Sequence, residues 1–249
     1  MLPAVHVSSR AQRTSAGSAK TQSAGVKMKD LDLSQYGVIW DLDGVLIESF
    51  QQHLESWMRI LPRFGLTMSL ELHEKTFGMN NREILTIMLG EPPDADLLRR
   101  ISWEKESAFR EIIRGSIEPL VGAVELLEHL HSAKMRQAIA SSAAEENIHV
   151  VVDELQIGGY FQALVSGHDL PAKPDPAVYL EAARQIELGP EACVVVEDAV
   201  VGVRGAKKAG MRAIAVTTSH SASALQDADL ILDSLLDLSI DQVAHLLVD

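Results

Sequence analysis

From Tyr36 onward, short apolar runs alternate with longer helical patterns, and no other feature of this sequence restricts its fold as strongly. YGVIW at 36–40 reads as a first strand. RQAIAS (136–141), ALVSG (163–167), CVVVED (193–198) and RAIAV (212–216) read as four more, and ADLILD (228–233) as a weaker sixth. The runs are continuously apolar rather than alternating, the pattern of strands covered on both faces. Helical patterns lie between them: GAVELLEHLHSA, AAEENIHVVVDEL, PAVYLEAARQI and VGVRGAKKAG. Strand–helix alternation of this kind predicts an α/β fold, a Rossmann-like parallel sheet with right-handed crossovers and helices on both faces.

One interval breaks the rhythm. Residues 41–135 hold no convincing strand, whereas ESFQQHLESWMRILPRF, SLELHEKTF, NREILTIML and DADLLRRISWEKESAFREIIRG all read as helix. Residues 51–117 are therefore expected to form an inserted small α-helical cap domain, with 31–50 and 118–249 forming the α/β core. The first 29 residues contain no Asp or Glu, five Lys or Arg and many Ser, Ala and Thr. Segment 1–30 reads as a disordered leader or as an organelle transit peptide, which is basic, Ser-rich and acid-poor. A plastid or mitochondrial location follows from the second reading, a cytoplasmic one from the first.

A net charge of −13 argues against nucleic acid or an anionic membrane as partner. No apolar stretch approaches the roughly 18 residues of a spanning helix. The single cysteine, Cys193, lies in the apolar run ACVVVED and reads as a small core residue, not as part of a disulfide or metal site. A soluble monomer is expected.

The first strand ends in Asp41 and Asp43, two carboxylates separated by one leucine. Parallel α/β sheets place ligands beyond the carboxyl ends of their strands. Carboxylates so close repel and lose hydration unless a cation compensates, or unless one stays protonated as a general acid or base. Mg²⁺ takes oxygen ligands and commonly also holds a substrate phosphate. An EF-hand loop is excluded, because Gly44 comes too early and Val45 stands at the third ligand position. Three other strand ends carry matching chemistry. AIASSA ends in Ser141 and Ser142 before a helix, an arrangement suited to phosphate. AKPDPAVY carries Lys173 just before a helix with Pro176 near its start. VVVEDAVVGVRG ends a strand in Glu197 and Asp198, then turns through Gly202 and Gly205 into a helix. Taken singly, each is explained by capping or by a solvated charge. Together they supply a metal site, an anion site and a nucleophile.

The chain resembles the haloacid dehalogenase superfamily, and within it the β-phosphoglucomutase-like phosphatases. DLDGVL, ASSA, KPDP and VVEDAVVG match the four family motifs in order, between Tyr36 and about Asp233. The helical insert falls where that family carries its cap. The resemblance implies that Asp41 attacks phosphorus to form an aspartyl-phosphate and that Asp43 acts as general acid and base. It implies that Ser141 binds the phosphoryl group and Lys173 neutralises charge. Mg²⁺ would then be held by Asp41, Asp43 (through its backbone carbonyl), Glu197 and Asp198. Asp43 argues against dehalogenation, because a departing halide needs no proton whereas an alkoxide does.

Ser49 and His53 lie four residues apart on one helical face near the nucleophile. In FGMNNREIL, Gly78 is expected in a turn, with Asn81 and Arg82 as substrate-binding candidates. The resembled mutases carry a lysine immediately before this glycine, and here Phe77 stands instead. These features favour a phosphatase for a small phosphorylated metabolite, such as a sugar phosphate, over a hexose-phosphate mutase or a non-catalytic phosphometabolite-binding protein.

Overall fold

The computed structural model describes residues 31–248; the basic segment read as a leader or transit peptide lies outside them. Six strands follow the sequence expectation: β1 (Gly37–Trp40), β2 (Arg136–Ser141), β3 (Ala163–Ser166), β4 (Cys193–Glu197), β5 (Arg212–Val216) and β6 (Leu230–Leu232). They form one sheet in the order β3-β2-β1-β4-β5-β6, and every pairing is parallel.

The core helices are α5 (Ala123–Ser132), α6 (Glu145–Glu154), α7 (Ala177–Gln185), α8 (Val200–Lys208) and α9 (Ile240–Val248). Val38, Trp40, Ile139, Val194, Val196, Ile214 and Val216 enter a core shared with α5, α6 and α9. Ile39, Ala138, Ala140, Val195, Ala213 and Ala215 enter a second core shared with α7 and α8. Successive residues of each strand thus serve opposite layers, which is why the strands read as unbroken apolar runs. The second face is rich in alanine, so α7 and α8 approach closely: a Cβ on Gly205 would lie 2.9 Å from the Tyr179 ring. Cys193 is fully buried there, and burial pushes its thiol up to about 12. A disulfide-exchange reagent is therefore expected to leave the folded protein unlabelled and to modify one thiol on unfolding.

Between β1 and α5 run α1 (Phe50–Ile60), α2 (Leu70–Thr76), α3 (Asn81–Leu89) and α4 (Ala95–Ile113). They share an apolar cluster of Trp57, Ile60, Leu61, Ile84, Leu85, Ile101 and Ala108, with α1 packed along α4. Beyond Ala108, α4 leaves that cluster, and its Phe109 and Ile113 enter the sheet's first core. The two chain segments that join the helices to the sheet pair with each other. Ile47 bridges Pro119 in antiparallel fashion, and Leu120 N–H donates to the Leu46 carbonyl at 2.8 Å.

Candidate active site

β1 occupies the position where the sheet reverses direction: β2 and β3 lie to one side, β4 to β6 to the other. Its carboxyl end is therefore a crevice flanked by the ends of β2 and β4. Asp41 follows β1 directly, and its N–H donates to the Val196 carbonyl at 3.0 Å. The chain then doubles back through Gly44 at φ +82°, with Gly44 N–H donating to the Ile47 carbonyl at 2.7 Å. A Cβ at position 44 would stand 2.0 Å from Asp198 Oδ2, so backbone freedom and space both require glycine.

Lys173, in the loop after β3, reaches into this crevice. Its Nζ donates to Asp41 Oδ1 and to Glu197 Oε1, both at 2.6 Å. Glu197 Oε1 also accepts from the Tyr179 hydroxyl at 2.7 Å, while Oε2 accepts from the Asp198 and Ala199 N–H groups at 3.0 and 2.9 Å. A carboxylate offers about four acceptor positions, and those of Glu197 are filled. Gly202 and Gly205 correct the sequence reading: both lie inside α8, not in a turn before it. Helix continues through them because tertiary contact demands the missing side chain; a Cβ on Gly202 would stand 1.9 Å from Glu197 Oε1.

Three buried carboxylates, Asp41, Glu197 and Asp198, thus face one ammonium. Burial pushes Asp41 up to about 7, against the pull of Lys173 and with further push from Glu197. Burial, then Glu197 and Asp41, drives Asp198 well above the usual carboxylate range. Glu197 goes the other way: burial opposes its ionisation, but Lys173 and the hydrogen bonds outweigh it. Lys173 is also buried, yet Asp41 and Glu197 hold it firmly protonated. Oxygens of the three carboxylates lie within 4.8 Å of one another, and Asp198 Oδ2 is buried with no hydrogen-bond partner. An all-oxygen, over-acidic cluster with an orphaned carboxylate oxygen fits a hard divalent cation.

The second aspartate turns toward the helices. Asp43 Oδ1 accepts from the Ser49 hydroxyl at 2.5 Å and from His53 Nε2 at 3.1 Å. His53 Nδ1 lies 2.8 Å from Lys105 Nζ. An ammonium only donates, so Nδ1 is the acceptor and Nε2 carries the hydrogen offered to Asp43. The ring is fixed by stacking on Phe109, with centroids 4.0 Å apart. Lys105 also donates to both oxygens of Glu106, at 3.0 and 3.1 Å; Glu106 accepts further from Asn81 and Asn147. Burial opposes ionisation of Asp43, but His53 and Ser49 outweigh it and hold the carboxyl below its ordinary range.

Asp41, Asp43, His53, Gly78, Asn81, Ser141 and Ser142 line one inner cavity of about 60 Å³. Ser141, the last residue of β2, is buried, and its Oγ accepts the Ala143 N–H at 3.1 Å. Gly78 takes φ +85° in the expected turn, where a Cβ would touch Ala199 at 3.4 Å. Two candidates fall elsewhere. Ser49 is buried behind Asp43 and addresses that carboxylate. Arg82 is exposed on a larger outer cleft of about 1260 Å³, and only Asn81 and Glu106 line both spaces. Sequence reasoning missed Lys105, Glu106, His73 and Tyr179. It also missed Thr218 and His220, which after β5 donate to the Gly44 and Asp198 carbonyls at 2.5 and 3.2 Å.

A doubly wound sheet with a helical insertion after its first strand, and buried acids gathered where the strand order reverses, defines an enzyme class that works at its strand ends. The chain belongs to the haloacid dehalogenase-like hydrolase family, whose profile matches residues 38–216. It is 31% identical over 182 residues to a phosphorylated carbohydrates phosphatase of Thermotoga maritima, covering 71% of this chain and 82% of that protein. It is 30% identical over 215 residues to the mitochondrial (DL)-glycerol-3-phosphatase 1 of Arabidopsis thaliana, covering 82% of this chain and 72% of that one. Among solved structures, the β-phosphoglucomutase of Clostridium difficile superposes with a TM-score of 0.75 at 23% identity, over 85% of this chain and 96% of that one, a likeness of fold. Among the described residues, no helix is long and apolar enough to cross a membrane.

Proposed function

We propose that this protein is a Mg²⁺-dependent phosphatase that removes phosphate from a small phosphorylated metabolite through an aspartyl-phosphate on Asp41. The observation that carries this reading is the set of three buried carboxylates around a single lysine, with Asp198 Oδ2 unsatisfied, beside a cavity lined by Asp41. Asp41, Asp198 and the Asp43 carbonyl would hold Mg²⁺, with Glu197 completing the charge; ligation by Glu197 itself requires one of its donors to give way. Bound there, the ion would neutralise charge on the transferring phosphoryl oxygens.

Asp43, a carboxylate under the hold of His53 and Ser49 in the empty site, takes up a proton as the anionic ester enters. Asp41 then attacks phosphorus, the bond to the ester oxygen breaks, and the Asp43 carboxyl hands that proton to the departing alkoxide. Asp43, now a carboxylate held by Ser49 and His53, takes a proton from the water that opens the aspartyl-phosphate. Lys173 keeps Asp41 oriented and offsets the incoming phosphate charge, and Ser141 donates to the phosphoryl group. Residues 51–117 act as a cap, hinged near Ile47–Ser49 and Ile117–Leu120 where the two connecting segments pair.

The relatives named as phosphatases support hydrolysis, and Phe77, in place of a cation before Gly78, weighs against a mutase. The basic, acid-free segment 1–29 and the mitochondrial relative support organelle import. Steady hydrolysis of an aryl phosphate that stops when Mg²⁺ is chelated tests the central reading; absence of turnover with any phosphate ester would favour a binding protein. Asp43→Asn is expected to slow turnover by about 10²- to 10⁴-fold while Mg²⁺ affinity, read by calorimetry, stays within about tenfold. Loss of Mg²⁺ affinity by several orders of magnitude would remove Asp43 from its acid–base role.

A further inference from the structure

The loop after β5, residues 217–225, has no part in the chemistry above, yet two of its side chains bond to the backbone of the acid-bearing segments. β5 lies beside β4 with Ala215 in register with Glu197, so the chain leaving β5 passes the segment that carries Asp198. Both ends of the loop are fixed independently of that segment. Thr217 N–H donates to the Leu232 carbonyl at 3.0 Å, and its hydroxyl donates to Asp233 Oδ1 at 2.9 Å. Leu225, fully buried, enters the core shared with α7 and α8. Between these anchors the loop folds on itself, with Ala224 N–H donating to the Ser221 carbonyl at 2.9 Å.

Thr218 Oγ1 donates to the Gly44 carbonyl at 2.5 Å. His220 Nδ1 lies 3.2 Å from the Asp198 carbonyl oxygen; a carbonyl only accepts, so Nδ1 carries the hydrogen. A Cβ on Gly44 would stand 2.0 Å from Asp198 Oδ2 and 2.9 Å from Ser219 Oγ, so loop and unsatisfied carboxylate meet at one point. Neither backbone bond is needed to close a loop already held at both ends. Gly44 follows the Asp43 carbonyl directly, and Asp198 offers the orphaned oxygen. Thr218 and His220 therefore fix the separation of two groups drawn from different strand ends. Separation bears on which ion fits. Mg²⁺ demands near-ideal octahedral geometry at about 2.0–2.1 Å, whereas Ca²⁺ accepts flexible arrangements at about 2.3–2.6 Å.

We propose that the loop after β5 braces the cation site: Thr218 and His220 are positioning residues that hold the Asp43 carbonyl and the Asp198 carboxylate at the spacing of a small octahedral ion and disfavour a larger one. This rests on the Mg²⁺ site of the phosphatase reading and adds the residues that set its selectivity. Both act through the backbone they bond, and neither is a ligand.

Binding of metal alone to the full-length protein, without substrate, tests it. Mn²⁺ serves as a reporter read by electron paramagnetic resonance, and Mg²⁺ or Ca²⁺ displaces it. Thr218→Val and His220→Phe each remove one donor and keep the side chain's bulk. Each should raise the Mg²⁺ dissociation constant by about three- to tenfold, and the two together by about thirtyfold. The Ca²⁺ constant should move by less than about threefold, so the preference for Mg²⁺ over Ca²⁺ falls by about tenfold in the double variant. The single variants are independent readings, so one that fails to fold leaves the other. General loosening of the site would weaken both ions alike, and parallel loss overturns the proposal. So does a Mg²⁺ constant within about twofold of wild type in the double variant. Either result leaves the phosphatase reading standing. Wild-type protein that binds none of the three ions overturns both.

Discussion

Asp41→Asn should reduce phosphatase turnover by about 10⁴-fold or more, because an amide cannot form the phosphoryl ester and no other carboxylate occupies its place. The fold should tolerate the change. Asn keeps an oxygen where Asp41 Oδ1 accepts from Lys173, and it removes one of three crowded, buried carboxyl groups. Thermal stability without Mg²⁺ should therefore be equal to or above wild type. Steady-state rates with an aryl phosphate and a melting curve check both halves. Residual turnover within tenfold of wild type would mean that another group receives the phosphoryl unit.

Lys173→Met should be the most destabilising single change at the site, by about 3–5 kcal/mol in metal-free buffer. It strips the only ammonium from between Asp41 and Glu197 and leaves both carboxylates in a dry environment. Adding Glu197→Gln to the same chain should return part of that loss, since the repulsion between Glu197 and Asp41 is no longer offset once the lysine is gone. Chemical denaturation of the two variants reads the difference. A loss below about 1 kcal/mol for Lys173→Met would show that the pair is worth no more than a surface contact.

The sheet and the residues at its strand ends were legible because both depend on local pattern. Unbroken apolar runs mark strands buried on two faces, and Asp41, Ser141, Lys173 and Glu197 sit at or just beyond such runs, where a parallel sheet collects its ligands. α9 escaped notice: its stretch IDQVAHLLV buries only Val243 and Ala244 completely and follows the last expected strand. Lys105 escaped because SWEKESAF reads as a solvated helix surface. A signal was present, however. Ile101, Lys105, Phe109 and Ile113 recur at four-residue spacing, and all four are buried, so the lysine interrupts an apolar stripe. Arg82 shows the reverse limit. It stands one residue after Asn81 in the first turn of α3, and that single step carries it out of the inner cavity. Gly202 and Gly205 were visible as special residues, but the reason for them, the approach of Glu197 and Tyr179, exists only in three dimensions.

The most direct test of the account is to quench the enzyme in acid during turnover and locate the phosphoryl group by peptide mass spectrometry. The account predicts one acid-stable, base-labile phosphoryl group on Asp41, formed only with Mg²⁺ present. Phosphate mapped to any other residue, or rapid wild-type turnover with no phosphoenzyme trapped at any quench time, would contradict it.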